Sequence, residues 1–263
     1  MGVCDSQKKI RGKRMHHFFV TPDQIVEGRI RIVGPDVHHM RNALRIREGE
    51  KVLISDGAGQ DYLCRVLRLE RDEALTAVES ACKESRELPA RIWLFQGLPK
   101  SDKMEWIIQK AVELGAAGIV PVATKHVVVK LDARKEESRL RRWQAIAEGA
   151  AKQSKRSVVP KVLGIMTLKE AFAYTEKEDF HLRVIPYELT EGMESTKKAL
   201  SQVEPGRKMA VFIGPEGGFD ESEIELAMDM GVEPVSLGRR ILRTETAGLV
   251  VLSALMLRLE GGI

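Results

Sequence analysis

The chain has 263 residues, which is long enough for one large domain or two ordinary ones. Hydrophobic residues make up 43% of the sequence, which allows a sizeable buried core and argues against a disordered protein. The formal net charge of +4 comes from 42 basic and 38 acidic residues, and residues 1–14 alone account for that excess. Because the rest of the chain is neutral, any affinity for nucleic acid must come from local basic patches.

The N-terminal residues 1–14 are predicted to form a flexible basic extension, because they are polar and lack the apolar segment of a secretory signal. No run of about 18 apolar residues suits a membrane-spanning helix. The three cysteines have neither metal-ligand nor disulfide spacing, and their odd number is typical of a reducing compartment. We therefore expect a cytoplasmic protein without a metal site.

Residues 15–85 alternate short apolar runs with turn signals, which is typical of a small β-barrel. The predicted strands are Arg29–Val33, Lys51–Ser55, Tyr62–Leu69 and Ala74–Glu79. One short helix is predicted at Asp36–Leu44. Arg41 and Arg45 are spaced i, i+4, so they would share a helix face. That face could grip phosphate, or it could be an ordinary solvated basic face.

A domain boundary is predicted at the polar segment 83–89, and residues 90–263 are predicted to form an α/β domain. Arg91–Gly97 has the pattern of a buried strand, and Asp102 is the expected N-cap of the helix that follows. Gly118–Val122 is the second buried strand of this unit. Strand, helix and strand in this order predict a parallel sheet.

The segment from Arg139 to Lys161 is strongly basic and contains a helix that runs into a polar loop. Trp143 belongs to the apolar stripe of this helix, so we expect it in the core rather than stacked on a base. The loop contains Gln153, Ser154 and Arg156, whose side chains suit contacts to phosphates and base edges.

Strand, glycine-rich turn and helix occur twice in succession near the C-terminus. A buried strand at 211–213 runs into the loop Gly214–Gly218, and Asp220 is the expected N-cap of the next helix. A strand at 232–237 then runs into the loop Leu237–Arg243, which precedes a helix at Thr244–Leu259. Two such loops at the ends of parallel strands are the layout of a ligand site.

The chemistry of these loops narrows the ligand class. Neither loop has the lysine and hydroxyl residue of a P-loop, and the GxGxxG dinucleotide pattern is absent. Glycine and proline allow the backbone to approach a flat ligand closely, which suits an adenosine or another uncharged heterocycle. The alternative is that the glycines only make tight turns. A short strand at 183–188 should supply Pro186–Glu188 as a third wall.

Five ordered blocks closely resemble the ribosomal RNA small-subunit methyltransferase E family of the SPOUT superfamily. They are HHFFV (His16–Val20), HHMRNALRIREGE (His38–Glu50), KSDKMEWIIQKAVELGA (Lys100–Ala116), AKQSKRSVVPKV (Ala151–Val162), and GPEGGFDESEIE followed by LGRRILRTETAGLVVLSAL. The resemblance implies an enzyme that uses S-adenosylmethionine to methylate N3 of a uridine in small-subunit (16S) ribosomal RNA. It also implies a C-terminal α/β domain with a trefoil knot, an N-terminal PUA-like β-barrel that helps to hold RNA, and a homodimer.

The resemblance also points to the residues of each site. The expected cofactor-binding residues are Ile213, Gly214, Pro215, Glu216, Gly217, Leu237, Gly238, Ile241, Leu242 and Thr244. The expected RNA-binding residues are His17, Arg41, Arg45, Lys103, Gln153, Ser154 and Arg156. Two positions depart from the usual family pattern, since Lys155 stands where a glycine is common and His17 where an arginine often stands.

Methylation at N3 requires loss of the N3 proton and stabilisation of the imide anion that develops. Arg243, at the turn from loop to helix, is the expected stabiliser, and Glu216 and Glu245 are the candidate carboxylates. Each carboxylate has a simpler explanation, because Glu245 suits the first turn of a helix and Glu216 can shape its loop. Two other functions fit the sequence: ribose 2′-O-methylation of transfer RNA, and a non-catalytic role in ribosome assembly.

Overall fold

The computed structural model describes residues 15–82, 86–125, 133–190 and 192–261. The chain forms two compact units. The N-terminal unit is Met1–Glu87 together with Ala151–Val159, and the C-terminal unit is Leu88–Ala150 together with Pro160–Ile263. The predicted basic extension, residues 1–14, lies outside the described residues, as do residues 83–85 of the predicted boundary.

The N-terminal unit is built on a six-stranded sheet. Its strands are β1 (His17–Phe19), β2 (Ile25–Val26), β3 (Arg29–Val33), β4 (Lys51–Ser55), β5 (Asp61–Leu69) and β6 (Glu73–Cys82). They pair in the order β1-β4-β5-β6-β3-β2. Phe18 on β1, at one end of this order, belongs to a buried core, and Ile25 on β2, at the other end, packs against the same core. The sheet therefore curls around that core, which confirms the predicted barrel-like architecture.

The helix predicted at 36–44 is present but more distorted than expected. Helix α1 (Pro35–His38) continues as one π-helical turn, His39–Ala43. The Ile46 N–H donates to the Met40 carbonyl at 2.9 Å, and Arg45 between them has a left-handed φ of 51°. This is the geometry that ends a helix, so Arg45 lies beyond it. The expectation that Arg41 and Arg45 share a helix face was wrong.

Residues 151–159 return to the N-terminal unit, although the sequence placed them with the second domain. Val158 forms β-bridges with Gly57 and Ala58, and the Ser157 hydroxyl donates to Asp61 at 2.8 Å. Lys152 pairs with Asp36 at 3.0 Å. These contacts join positions that are far apart in the chain, which local sequence patterns do not reveal.

The C-terminal unit is a parallel sheet with helices. Its elements are β7 (Arg91–Gly97), α2 (Lys103–Glu113), β8 (Gly118–Ala123), α3 (Ala133–Ser154, which runs into segment 151–159), β9 (Lys161–Val162), β10 (Met166–Thr167), α4 (Leu168–Lys177), β11 (Leu182–Pro186), α5 (Glu194–Ser201), β12 (Lys208–Ile213), α6 (Glu221–Asp229), β13 (Glu233–Val235) and α7 (Thr244–Leu259). The strand order is β10-β8-β7-β12-β11-β13, with β9 beside β8. Every pairing in this sheet is parallel, as predicted.

The central strands β7 and β12 are buried on both faces. Phe95 and Phe212 stack with their ring centroids 4.5 Å apart, in a core shared with residues of α4 and α6. Gln96, next to Phe95, points to the opposite face and reaches Thr244 on α7, since neighbouring strand residues alternate between faces. Trp143 is buried, as predicted.

Local signals explain most of these elements. Asp220 caps α6 and forms a capping box with Glu223, as predicted. Asp102 is the N-cap residue of α2, as predicted, although its side chain makes no capping hydrogen bond. Helix α5 lies in a segment for which no helix or strand was predicted. Within the described residues, no helix is long and apolar enough to cross a membrane. The trefoil knot stays a prediction.

Candidate functional site

One cleft lies where the strands β11, β12 and β13 end. Two cavities of about 700 and 440 Å³ share Pro186, Glu188, Ile241, Leu242 and Ala247, so they are parts of a single cleft. Its walls are the loops that follow these three neighbouring strands. A ligand cleft at the carboxyl ends of parallel strands is the expected location in an open α/β sheet, and its size suits a small molecule.

Close backbone packing fixes the glycine-rich loop at 214–218. A Cβ atom on Gly97 would lie 2.7 Å from the Pro215 nitrogen and 2.9 Å from the Gly214 carbonyl carbon. The end of β7 and the loop can therefore touch only because residue 97 has no side chain. Gly218 has a left-handed φ of 70°, and its N–H donates to the Pro215 carbonyl at 3.0 Å, which closes the turn.

A buried hydrogen-bond relay joins this loop to helix α7. The Gln96 side-chain Nε2 donates to the Thr244 hydroxyl at 2.8 Å, and that hydroxyl donates to the Gly214 carbonyl at 2.5 Å. Thr244 is almost fully buried, and its hydroxyl proton is donated to the Gly214 carbonyl. Thr244 lines the cleft, and its side chain hydrogen-bonds to the glycine-rich loop.

Lys103 lies between the two candidate carboxylates. Its Nζ is 3.1 Å from Glu216 Oε1 and 3.4 Å from Glu245 Oε2. The Lys100 N–H also donates to Glu216, at 3.1 and 3.2 Å to its two oxygens. The hydrogen bond to Glu216 raises the pKa of Lys103. Partial burial opposes ionisation of Glu216, but backbone N–H groups and Lys103 outweigh it and lower the pKa of that carboxyl.

These contacts separate the roles suggested for the charged residues. A carboxylate with a lowered pKa that already accepts several hydrogen bonds is a weak proton acceptor, so Glu216 fits an anchor of its loop better than a general base. Lys103, predicted to bind RNA, pairs with two carboxylates at the cleft. Arg239, Arg240 and Arg243 are exposed along the cleft and form no ion pair within the residues that the structure describes.

The structure brings all ten residues expected to bind the cofactor together around this cleft. Pro186 and Glu188 line it as the third wall, as the sequence suggested. Sequence reasoning missed the contributions of Met193, Ser236 and Ala247, and it missed Gln96 beneath the loop. The signal for Gln96 was present, since it is the first amide side chain at the end of an apolar strand.

Most of the expected RNA-binding residues lie in the N-terminal unit, with unequal accessibility. Arg41, Arg45 and Gln153 are exposed. The side chain of Arg156 is only 6% exposed and pairs with Glu87, which leaves it unsuited to contact phosphate. The Ser154 hydroxyl makes a long bond to the Ala151 carbonyl, 3.4 Å. Lys155, where the family often has glycine, has a left-handed φ of 60°.

His17 belongs to a partly buried hydrogen-bond chain rather than to a basic surface. The Ser55 hydroxyl donates to Asp61, so His17 Nε2, 2.5 Å from that hydroxyl oxygen, must be the donor to it. Nδ1 then carries no proton, and it is buried without a hydrogen-bond partner among the described residues. Burial lowers the pKa of His17 to about 4. A neutral histidine does not replace the charge of an arginine.

Comparison with known proteins gives a consistent picture. Residues 86–256 match the model of an RNA methyltransferase domain, and residues 33–79 match that of an RNA methyltransferase PUA domain. The ribosomal RNA small subunit methyltransferase E of Bacillus subtilis is 36% identical, over 94% of this chain and 98% of that protein.

Solved structures agree with the sequence comparisons. A ribosomal RNA small subunit methyltransferase E from Neisseria gonorrhoeae, bound to S-adenosylmethionine, is 32% identical with a TM-score of 0.80, over 92% of this chain and 96% of that one. A methyltransferase from Legionella pneumophila, also with bound S-adenosylmethionine, is 29% identical with a TM-score of 0.78, over 92% and 97% of the two chains. The chain therefore belongs to the ribosomal RNA small subunit methyltransferase E family.

Proposed function

We propose that this protein transfers a methyl group from S-adenosylmethionine to N3 of a uridine in small-subunit (16S) ribosomal RNA. The observation that carries the proposal is the single cleft at the ends of β11, β12 and β13, which collects all ten expected cofactor-binding residues. Membership of the family supplies the reaction class, and the two relatives with bound S-adenosylmethionine support the choice of cofactor.

The residues of the cleft fit S-adenosylmethionine. Ile241, at the rim, is 90% exposed, so an apolar side chain is left uncovered where a heterocycle can pack. Ile213 and Leu242 add apolar surface, and the backbone of Gly217 and Gly238 is accessible for hydrogen bonds. The Glu188 carboxylate complements the positive charge of a sulfonium or ammonium group. When bound, S-adenosylmethionine supplies an electrophilic methyl group.

The catalytic work of the chain itself is to orient the uridine and to stabilise the charge left when the N3 proton departs. Arg243 is exposed at the N-cap of α7 and lines the cleft, so its guanidinium can stabilise an imide anion there. Lys103, which pairs with Glu216 and Glu245, lines the same cleft as Arg243. Of the two carboxylates, Glu245 is the better candidate to accept the proton, because Glu216 is more heavily hydrogen-bonded.

We also propose a homodimer that acts in the cytoplasm on RNA within an assembled small subunit. Val250 and Leu257 lie on one face of α7 and are 41% and 43% exposed, whereas Val251, Leu252 and Leu255 are buried. An exposed apolar helix face is typical of a subunit interface. RNA-binding residues of one chain would then act with the cleft of the other.

The function is tested by transfer of labelled methyl from S-adenosylmethionine to small ribosomal subunits that lack the modification. Nucleoside mass analysis should identify N3-methyluridine. A ribose-methylated nucleoside would keep the cofactor but contradict the proposed target atom. No transfer, together with no binding of S-adenosylmethionine in calorimetry, would leave a non-catalytic assembly factor.

The catalytic residue is tested in the same assay. Arg243→Ala should lower the rate of methyl transfer by at least about tenfold while S-adenosylmethionine still binds, because charge stabilisation is lost only at the reacting uridine. Arg207→Ala is the matched control, since Arg207 is exposed just before β12, at the other end of the strands from the cleft. A wild-type rate in Arg243→Ala would show that Arg243 is not catalytic.

A further inference from the structure

Gln96 is a fully buried amide beneath the cleft, and nothing in the proposed chemistry uses it directly. It is paired in register with Ile213, the last residue of β12 before the glycine-rich loop. Its Nε2 donates to the Gly97 carbonyl at 3.0 Å and to the Thr244 hydroxyl at 2.8 Å. Because a carbonyl oxygen can only accept, the amide atom that faces it must be the nitrogen, which fixes the orientation of the side chain.

That orientation decides the direction of the Thr244 hydroxyl. Since Nε2 is a donor, the Thr244 oxygen must accept from it, and the single hydroxyl proton is left to donate to the Gly214 carbonyl at 2.5 Å. The next residue is Pro215, which has no N–H. The Gly214 carbonyl is therefore the only hydrogen-bonding group of that peptide, and this bond fixes how the peptide is turned at the entrance of the loop.

Burial of the Gln96 amide also lowers the stability of the folded protein. Its Oε1 is buried without a hydrogen-bond partner among the described residues, and it lies toward Gly248 of α7. An unpartnered buried amide oxygen lowers stability, so an apolar side chain would be a simpler solution for the core alone. A polar group retained at such a cost is typical of a functional site.

We infer that Gln96 is a positioning residue of the cofactor cleft, which acts through Thr244 to hold the Gly214 carbonyl and so preorganises the loop 214–218. This inference rests on the proposed function, because it assigns to the loop the binding of S-adenosylmethionine. Preorganisation favours binding, since the ligand does not have to order the loop. Gln96 lies beneath the cleft and does not line it, so its effect should appear in cofactor affinity rather than in the chemical step.

The test uses the full-length protein and S-adenosylmethionine itself in calorimetry. Gln96→Met keeps the size of the side chain but removes the N–H donors, and Thr244→Val removes the hydroxyl. Loss of one neutral hydrogen bond in the relay should raise the Kd about threefold to tenfold in either variant. The KM for S-adenosylmethionine should rise with it, while kcat at saturation changes little.

Matched variants separate positioning from general stability. The side-chain amide of Gln144 also hydrogen-bonds to backbone groups, but away from the cleft. Its Nε2 donates to the Pro160 carbonyl at 3.2 Å, and its Oε1 accepts from the Val162 N–H at 2.9 Å. Gln144→Met should therefore leave the Kd unchanged. Thr244→Ser, which keeps the hydroxyl, should restore most of the affinity that Thr244→Val loses. The double variant Gln96→Met, Thr244→Val should match Thr244→Val alone, because both changes break one relay.

The outcomes distinguish this inference from the function on which it rests. If the wild-type protein does not bind S-adenosylmethionine, the proposed function fails and the inference fails with it. If the wild type binds and Gln96→Met binds equally well, only the inference is overturned. If Gln96→Met does not fold, the Thr244 pair decides, and equal affinities of Thr244→Ser and Thr244→Val overturn the inference.

Discussion

His17 occupies a position where protonation and folding oppose each other. Its Nε2 donates to Ser55, and its Nδ1 is buried without a hydrogen-bond partner in the part of the chain that the structure describes. Burial lowers the pKa from 6.5 to about 4. Above pH 6.5 the ring is neutral in both the folded and the unfolded protein, and its contribution to stability is fully present.

We therefore predict that stability falls as the pH drops from about 6.5 to about 4, because only the unfolded chain takes up the proton in that range. The full loss approaches about 3 kcal/mol. Urea unfolding at a series of pH values measures it. In His17→Gln this part of the pH dependence should disappear, and an unchanged profile in that variant would contradict the assignment.

Lys155 adopts a backbone conformation that favours glycine, with a φ of 60°. A residue with a Cβ is destabilised by roughly 1 kcal/mol in the left-handed conformation, relative to glycine. Part of the gain from a change to glycine is offset, because glycine gives the unfolded chain more conformational freedom. We predict that Lys155→Gly raises the free energy of unfolding by up to about 1 kcal/mol. Lys155→Ala is the control, because it removes the charge but keeps the Cβ. An equal gain in both variants would exclude backbone strain as the cause.

At the scale of elements, the site depends on the close contact between the end of β7 and the glycine-rich loop. We predict that Gly97→Ala weakens binding of S-adenosylmethionine by about tenfold or more, because the new Cβ meets backbone atoms that cannot rotate away. Stability should fall by about 1–3 kcal/mol. Calorimetry and urea unfolding measure the two effects.

Gly149→Ala is the matched control for that change. Gly149 lies in α3, and a Cβ there would meet nothing within 4 Å. Alanine in a helix interior should raise stability by about 0.5–1 kcal/mol and leave binding of S-adenosylmethionine unchanged. If Gly97→Ala binds as tightly as Gly149→Ala, the loop is more adaptable than its packing suggests.

The elements that the sequence predicted best are those whose pattern is local. Helix α7 spans Thr244–Leu259, as predicted, and α6 begins directly after its capping residue. Helix α5 was missed because Ala199 is its one buried residue, so it has almost no apolar periodicity. The location of the cleft was predictable because two glycine-rich loops follow the ends of predicted strands. The Gln96–Thr244 contact could not be predicted, because it joins residues 148 positions apart.

At the scale of the whole molecule, the exposed face of α7 predicts the oligomeric state. Leu257→Glu should convert a homodimer into monomers in analytical ultracentrifugation, because burying an unpaired carboxylate in an apolar interface is costly. Met228→Glu is the control, since Met228 is 59% exposed on α6 and is not part of this face. A wild-type protein that sediments as a monomer would contradict the proposed dimer.

The discontinuous N-terminal unit bears on how the protein is made. Arg156, the buried partner of Glu87, and Ser157, which bonds Asp61, belong to a segment that the ribosome adds long after the six strands. At about 5–20 residues per second, the roughly 70 intervening residues take several seconds to synthesise. During that interval Asp61 and Glu87 lack these partners, so the first unit to emerge from the ribosome cannot complete its fold until the first part of the second unit has also been made.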